Sequence, residues 1–127
     1  MATFKDFRDL VAWRLANQMK LRVEVFLACP HFRESYKFCE QLGDAAQSGP
    51  HHIAEGHSRL KHKEFAQCVR AAKRSEVKVL KHLIDAHDQR LITSDELIIN
   101  KCLAKRAMRA AARLIHQLEA TNPPPMA

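Results

Sequence analysis

Phe65-Ala66-Gln67-Cys68-Val69-Arg70-Ala71-Ala72-Lys73-Arg74-Ser75-Glu76-Val77-Lys78-Val79-Leu80-Lys81-His82-Leu83-Ile84-Asp85-Ala86 carries two helical periods at once. Phe65, Val69, Ala72, Val79, Leu83 and Ala86 return on one face of a 3.6-residue repeat and are expected to point inward. Arg70, Arg74, Lys78 and Lys81 follow at steps of four, four and three, so they share a second face. The pattern predicts a helix from about Lys61 to Asp88, the third of four.

The same reading works outward in both directions. From about Phe4 to Ala28, Phe7, Val11, Leu15, Met19, Val23 and Phe26 recur at intervals of three and four, widened by Leu10 and Trp13; Pro30 is the expected stop. A second helix is expected from about Phe32 to Glu55, presenting Phe32, Cys39, Leu42, Ala45, Ala46 and Ile53. Gly49-Pro50 falls inside it. Proline lacks a backbone donor and crowds the carbonyl of Ala46, which predicts a kink there or two shorter helices, with Gly56 as the stop. Thr93-Ser94-Asp95-Glu96 fits a capping box that opens a fourth helix, with Leu97, Ala104, Met108, Ala111, Ile115 and Leu118 inward. Short connections between four amphipathic helices give an all-α class and an antiparallel up-down-up-down bundle, with the second helix kinked near Pro50. Residues 1–120 form one domain, and 121–127, with Pro123-Pro124-Pro125, are expected to be a disordered tail.

A chain of 127 residues can bury one core without disulfide or metal staples. Cys29, Cys39, Cys68 and Cys102 are spaced irregularly and form no C-x-x-C pair, so reduced thiols in a cytoplasmic protein are expected. No apolar run reaches membrane-span length. The formal net charge is +7, and its placement is uneven. Residues 1–58 hold seven basic and seven acidic side chains, whereas residues 59–81 hold eight basic side chains against Glu64 and Glu76. Lys63, Lys73 and the row Arg70, Arg74, Lys78 and Lys81 belong to that second stretch. On the fourth helix Lys101, Lys105, Arg109 and Arg113 recur at every fourth position, with Arg106 beside them and no acid among residues 101–113. Two such rows on antiparallel neighbours lie close together, and a polyanion offsets their repulsion while releasing its own counterions. A solvated basic face is the plainer alternative. The basic face has no free apolar stripe behind it, which argues against a membrane surface.

Two further stretches carry a family resemblance. Phe7, Asp9, Leu10 and Trp13 near the start, then Pro50, Ile53, Ala54, Glu55 and Gly56, then Lys63-Glu64-Phe65, stand in the order and spacing of the 23S ribosomal RNA intervening-sequence protein family, also called the four helix bundle protein family. The resemblance spans residues 4 to about 119. It departs from the family's pattern at His52, where relatives carry Asn, and at Lys78, where they tend to carry an acid. By resemblance, the chain is expected to assemble as a homopentameric ring and to bind nucleic acid, RNA before DNA. A related set of bundles serves diversity-generating retroelements, where the protein binds a reverse transcriptase and its template RNA; a scaffold with no nucleic-acid partner is the third reading.

Catalytic chemistry finds little purchase. His51, His52, His57 and His62 cluster about Glu55, and His51 or His52 with Glu55 gives two metal ligands on a continuous helix, one short of a site. Glu55 lacks a second acid or a nucleophile. Arg109 and His116 meet the loose R-x4-6-H spacing of helical ribonucleases of the HEPN type, but Ala110 follows the arginine where those enzymes carry a polar residue. No enzyme activity, metal or cofactor is expected.

Overall fold

The computed structural model describes residues 6–121. Among them four α-helices account for nearly all regular structure: α1 (Val11–Leu27), α2 (Tyr36–His57), α3 (His62–Asp88) and α4 (Ser94–Thr121). Each helix packs against its two neighbours in a ring, α1 on α2 and α4, α3 on α2 and α4. This is a four-helix bundle, held by the inward stripes. One end of the core gathers Leu15, Met19, Val23, Phe26, Phe32, Leu42, Val79 and Leu83. The other gathers Leu10, Ile53, Phe65, Val69, Ala111, Leu114 and Leu118. All six residues expected inward on the third helix are buried.

The helix starts depart from expectation, for local reasons. Phe7–Asp9 is a 3₁₀ turn capped by Asp6, whose carboxylate accepts from the Arg8 backbone N–H at 2.8 Å. Leu10 is extended, with φ −75° and ψ 128°, and α1 begins only after it. That break resets the helical phase: Leu10, Ala12 and Ala16 turn inward, while Val11, expected in the core, is 62% exposed. Phe4 and the expected tail at 122–127 lie outside the described residues. The first helix ends at Leu27, before Pro30. Phe32 begins no helix; it sits in a short 3₁₀ turn, buried and stacked on Phe26 at 6.0 Å between ring centroids.

The second helix corrects two expectations. It runs unbroken from Tyr36 to His57 with Pro50 inside it, so the division into two helices does not occur and no kink at Pro50 is established. Burial of Ala46, Gly49, Pro50 and Ile53 on one stripe supplies what the missing donor removes. Nor does Gly56 stop the helix, since it lies within it and no glycine among the described residues has a positive φ. Its role is proximity. A Cβ at Gly56 would stand 2.7 Å from both Cys68 Cβ and Phe65 Cδ1, so the bare backbone lets α2 and α3 approach.

The capping box forms as expected. Glu96 N–H donates to Thr93 Oγ1 at 3.1 Å, and Thr93 N–H donates to Glu96 Oε1 at 2.8 Å. Ala104, Ala111 and Leu118 are buried on α4, joined by Leu103, Ala107 and Leu114, while Leu97, Met108 and Ile115 are half-buried at the edge of the stripe.

Candidate nucleic-acid interface

The seam between α3 and α4 narrows to alanine at Ala104, Ala107 and Ala111 on the core side. On the outer side it opens into two adjoining recesses. One, of about 450 Å³, is lined by Arg70, Lys73, Arg74, Val77, Ala112 and Ile115. The other, of about 370 Å³, is lined by Lys73, Lys105, Met108, Arg109 and Ala112. Lys73 and Ala112 belong to both, so the two make one groove. Five of the basic side chains picked out by sequence therefore converge. Lys63 stands at a further recess with Arg70, Gln67 and Glu119, where Glu119 accepts a hydrogen bond from the Arg70 guanidinium. Among the described residues, Lys73, Arg74, Lys105 and Arg109 form no ion pair.

The other expected cations do not line this groove. Lys78, Lys81, Lys101 and Arg106 are exposed. Arg113 lines a separate recess between α1 and α4, beside Asp9 and Gln117. Each step of four residues overshoots a full turn by about 40°, so three steps from Lys101 carry Arg113 about 120° around the helix. A row at constant spacing of four is thus a spiral, not a stripe.

The motif residues have structural places at one end of the bundle. Phe7 meets Trp13 edge-on at 5.2 Å, and His57 stands edge-on to Phe7 at 6.5 Å and to Phe65 at 6.1 Å. Leu10 and Ile53 are buried there, Ala54 is half-buried, and Pro50 and Gly56 are buried along α2. Asp9 is on the surface, within 3.8 Å of Arg14. Glu55 pairs on the surface with Arg59 at 3.0 Å and with His51 at 3.4 Å, outside the bundle interior. His51 and His52 are neighbours at 5.9 Å, yet among the described residues no group of three His, Cys, Asp or Glu side chains is placed to hold a metal. His116 is exposed and lines neither recess that holds Arg109.

One charged residue was read wrongly. Glu76, counted from sequence as an acid offsetting the basic stretch, faces the core at 2% exposure, and neither carboxylate oxygen has a hydrogen-bond partner. It lies beside Gly49 and Ala16: a Cβ on Gly49 would meet Ala16 Cβ at 3.6 Å and Glu76 Cγ at 3.7 Å. Burial pushes its carboxyl up to about 8, and Lys73, one turn back, pulls weakly the other way. Glu76 is therefore mainly a neutral acid at pH 7 and cancels no positive charge. Its position between Ala72 and Val79 on the buried stripe, one residue after the buried Ser75, was the available signal.

The family model described as 23S rRNA-intervening sequence protein matches residues 8–114. A search of curated proteins gives no match. Among the described residues, no helix is long and apolar enough to cross a membrane.

Proposed function

Because this chain belongs to the 23S rRNA-intervening sequence protein family, we propose that it is a non-enzymatic, cytoplasmic nucleic-acid-binding bundle whose ligand is structured RNA. One observation carries the reading: Lys73, Arg74, Lys105 and Arg109 meet along the α3/α4 groove with no carboxylate paired to them. Four fixed cations within about two helical turns raise the local potential, and phosphates that neutralise them release condensed counterions. Glu76, held as a neutral acid, leaves the helix one charge more positive than its sequence suggests.

Assembly into a homopentameric ring belongs to the same proposal. Val11, Val25, Ile98 and Ile99 are each more than half exposed, and Leu60 is 99% exposed, apolar surface that subunit contacts would cover. Light scattering tests the ring directly.

The binding test is fluorescence anisotropy with labelled hairpin RNA and matched duplex DNA across a salt series. Binding is expected to weaken steeply with salt, with RNA preferred. Replacing Arg70, Arg74, Lys105 and Arg109 together with Ala should lower affinity and flatten the slope of log K against log salt by about 3, roughly 0.7–0.9 per lost phosphate contact. An unchanged slope places the interface elsewhere, and no binding at low salt leaves the cations as a solubility device.

A further inference from the structure

The α3/α4 groove is not only basic. Its floor is Val77, Met108, Ala112 and Ile115, each half-buried. They are apolar side chains still open to water at the edge of the bundle stripe. From Met108 to Ile115 the floor runs about 10 Å along α4. Around it stand Arg70, Lys73 and Arg74 on one wall and Lys105 and Arg109 on the other. A purely phosphate-reading surface has no use for such a floor, because phosphates meet only the rim.

A ligand matched to this groove must bring negative charge and flat apolar surface together, about one of each per step along the groove. A fully paired RNA helix does not, since its bases are stacked inside and its outer face is phosphate and ribose. A strand with unpaired bases does: each nucleotide supplies one phosphate for the rim and one base face for the floor, and arginine guanidinium planes stack on splayed bases. An acidic amphipathic helix would bring apolar side chains too, but the five rim cations outnumber the four floor side chains, and a strand charged at every residue fits that ratio better.

We infer that the α3/α4 groove is a subsite for unpaired nucleotides, in which bases lie on Val77, Met108, Ala112 and Ile115 while their phosphates meet Lys73, Arg74, Lys105 and Arg109. This inference rests on the nucleic-acid reading and adds to it which part of an RNA the groove takes. It also fixes the register. Arg70, tied to Glu119, stands at one end of the floor, and Lys105 at the other.

The test uses the full-length protein and two labelled RNA hairpins of equal length and charge, one fully paired and one with a three-nucleotide uridine bulge. The bulged hairpin is expected to bind about tenfold tighter. Ala112→Leu, which fills the floor without adding an aromatic face, should reduce that preference to within about threefold while the paired hairpin binds as before. As a readout independent of any variant, 4-thiouridine in the bulge should photocrosslink to peptides containing Met108, Ala112 or Val77. If both hairpins bind within twofold of each other and no crosslink reaches the floor, the subsite is wrong while the basic interface stands. If neither hairpin binds, the nucleic-acid reading itself fails. Binding instead of a helical peptide bearing Glu on one face and Leu at i, i+3 and i+7 would reassign the groove to a protein partner and overturn the inference.

Discussion

On its outer face α3 lines a groove with five cations, while about one turn away on its inner face it buries a single carboxyl beside Gly49 and Ala16. Both are charge without a partner, yet they are held in opposite ways. Water and salt screen the cations, so their mutual repulsion costs little per pair and the side chains keep their charge. No solvent reaches the carboxyl, so it gives up its charge instead, keeping its proton to about pH 8. The outer set stores a binding potential; the inner one imposes a pH dependence on folding.

That difference predicts its largest effect at Glu76. The folded chain holds the Glu76 proton up to about pH 8, against 4.5 for an ordinary glutamate. Between those values the folded state binds more protons than the unfolded state, so stability falls as pH rises through this window. It is intact below about 4.5, and the loss is complete once pH passes about 8. At pH 7 the deficit is about 3 kcal/mol by linkage. Glu76→Gln keeps the shape and removes the proton, so urea unfolding should show the two proteins nearly equal at pH 4 and the variant about 3 kcal/mol more stable at pH 7. Parallel curves for the two proteins would mean that Glu76 is ionised inside the bundle and has found a counter-charge.

The comparison also separates what the sequence discloses from what only the fold reveals. The period of α3 is legible because Phe65, Val69, Ala72, Val79, Leu83 and Ala86 all obey one repeat, and burial follows it at every position. The capping box at Thr93 and Glu96 is legible because it is local chemistry over four residues. Charge is legible only as a sum. Counting treats Glu76 and Lys78 alike as surface groups, though one lies on the buried stripe and the other does not. Spacing of four likewise places Arg109 in the groove and takes Arg113 out of it, because drift accumulates along a helix. Gly56 and Val11 show the same limit. A glycine near a helix end reads as a stop until the partner helix is seen 2.7 Å from its missing Cβ, and Val11 reads as core until the extended Leu10 shifts the phase.

A smaller effect probes the space around the buried acid. Gly49 lies inside α2, where Ala is favoured over Gly by up to about 1 kcal/mol. The added methyl would make ordinary contacts, 3.6 Å to Ala16 Cβ and 3.7 Å to Glu76 Cγ. Gly49→Ala should therefore raise stability by about 0.5–1 kcal/mol in urea unfolding at pH 5, where Glu76 carries its proton in the folded state. A loss of stability at that pH would show that the room beside the carboxyl is occupied, and a buried water is the occupant that chemistry favours. The inner site would then be partly solvated, and the contrast with the outer face correspondingly weaker.

The smallest effect belongs to the outer face, and its smallness is the point. The quadruple Ala variant at Arg70, Arg74, Lys105 and Arg109 removes like charges that repel through water and one exposed pair, Arg70 with Glu119. Each such interaction is worth a few tenths of a kcal/mol, and Ala is at least as good a helix former as Arg or Lys. Unfolding of this variant should lie within about 1 kcal/mol of the parent at low salt, on the stabilised side, and converge with it as added salt screens the parent's repulsion. A fall in stability of several kcal/mol, unmoved by salt, would mean that the guanidinium and lysine stems hold the α3/α4 seam by packing. The groove would then be part of the bundle's scaffold, and loss of RNA affinity in that variant could not be read as loss of phosphate contacts.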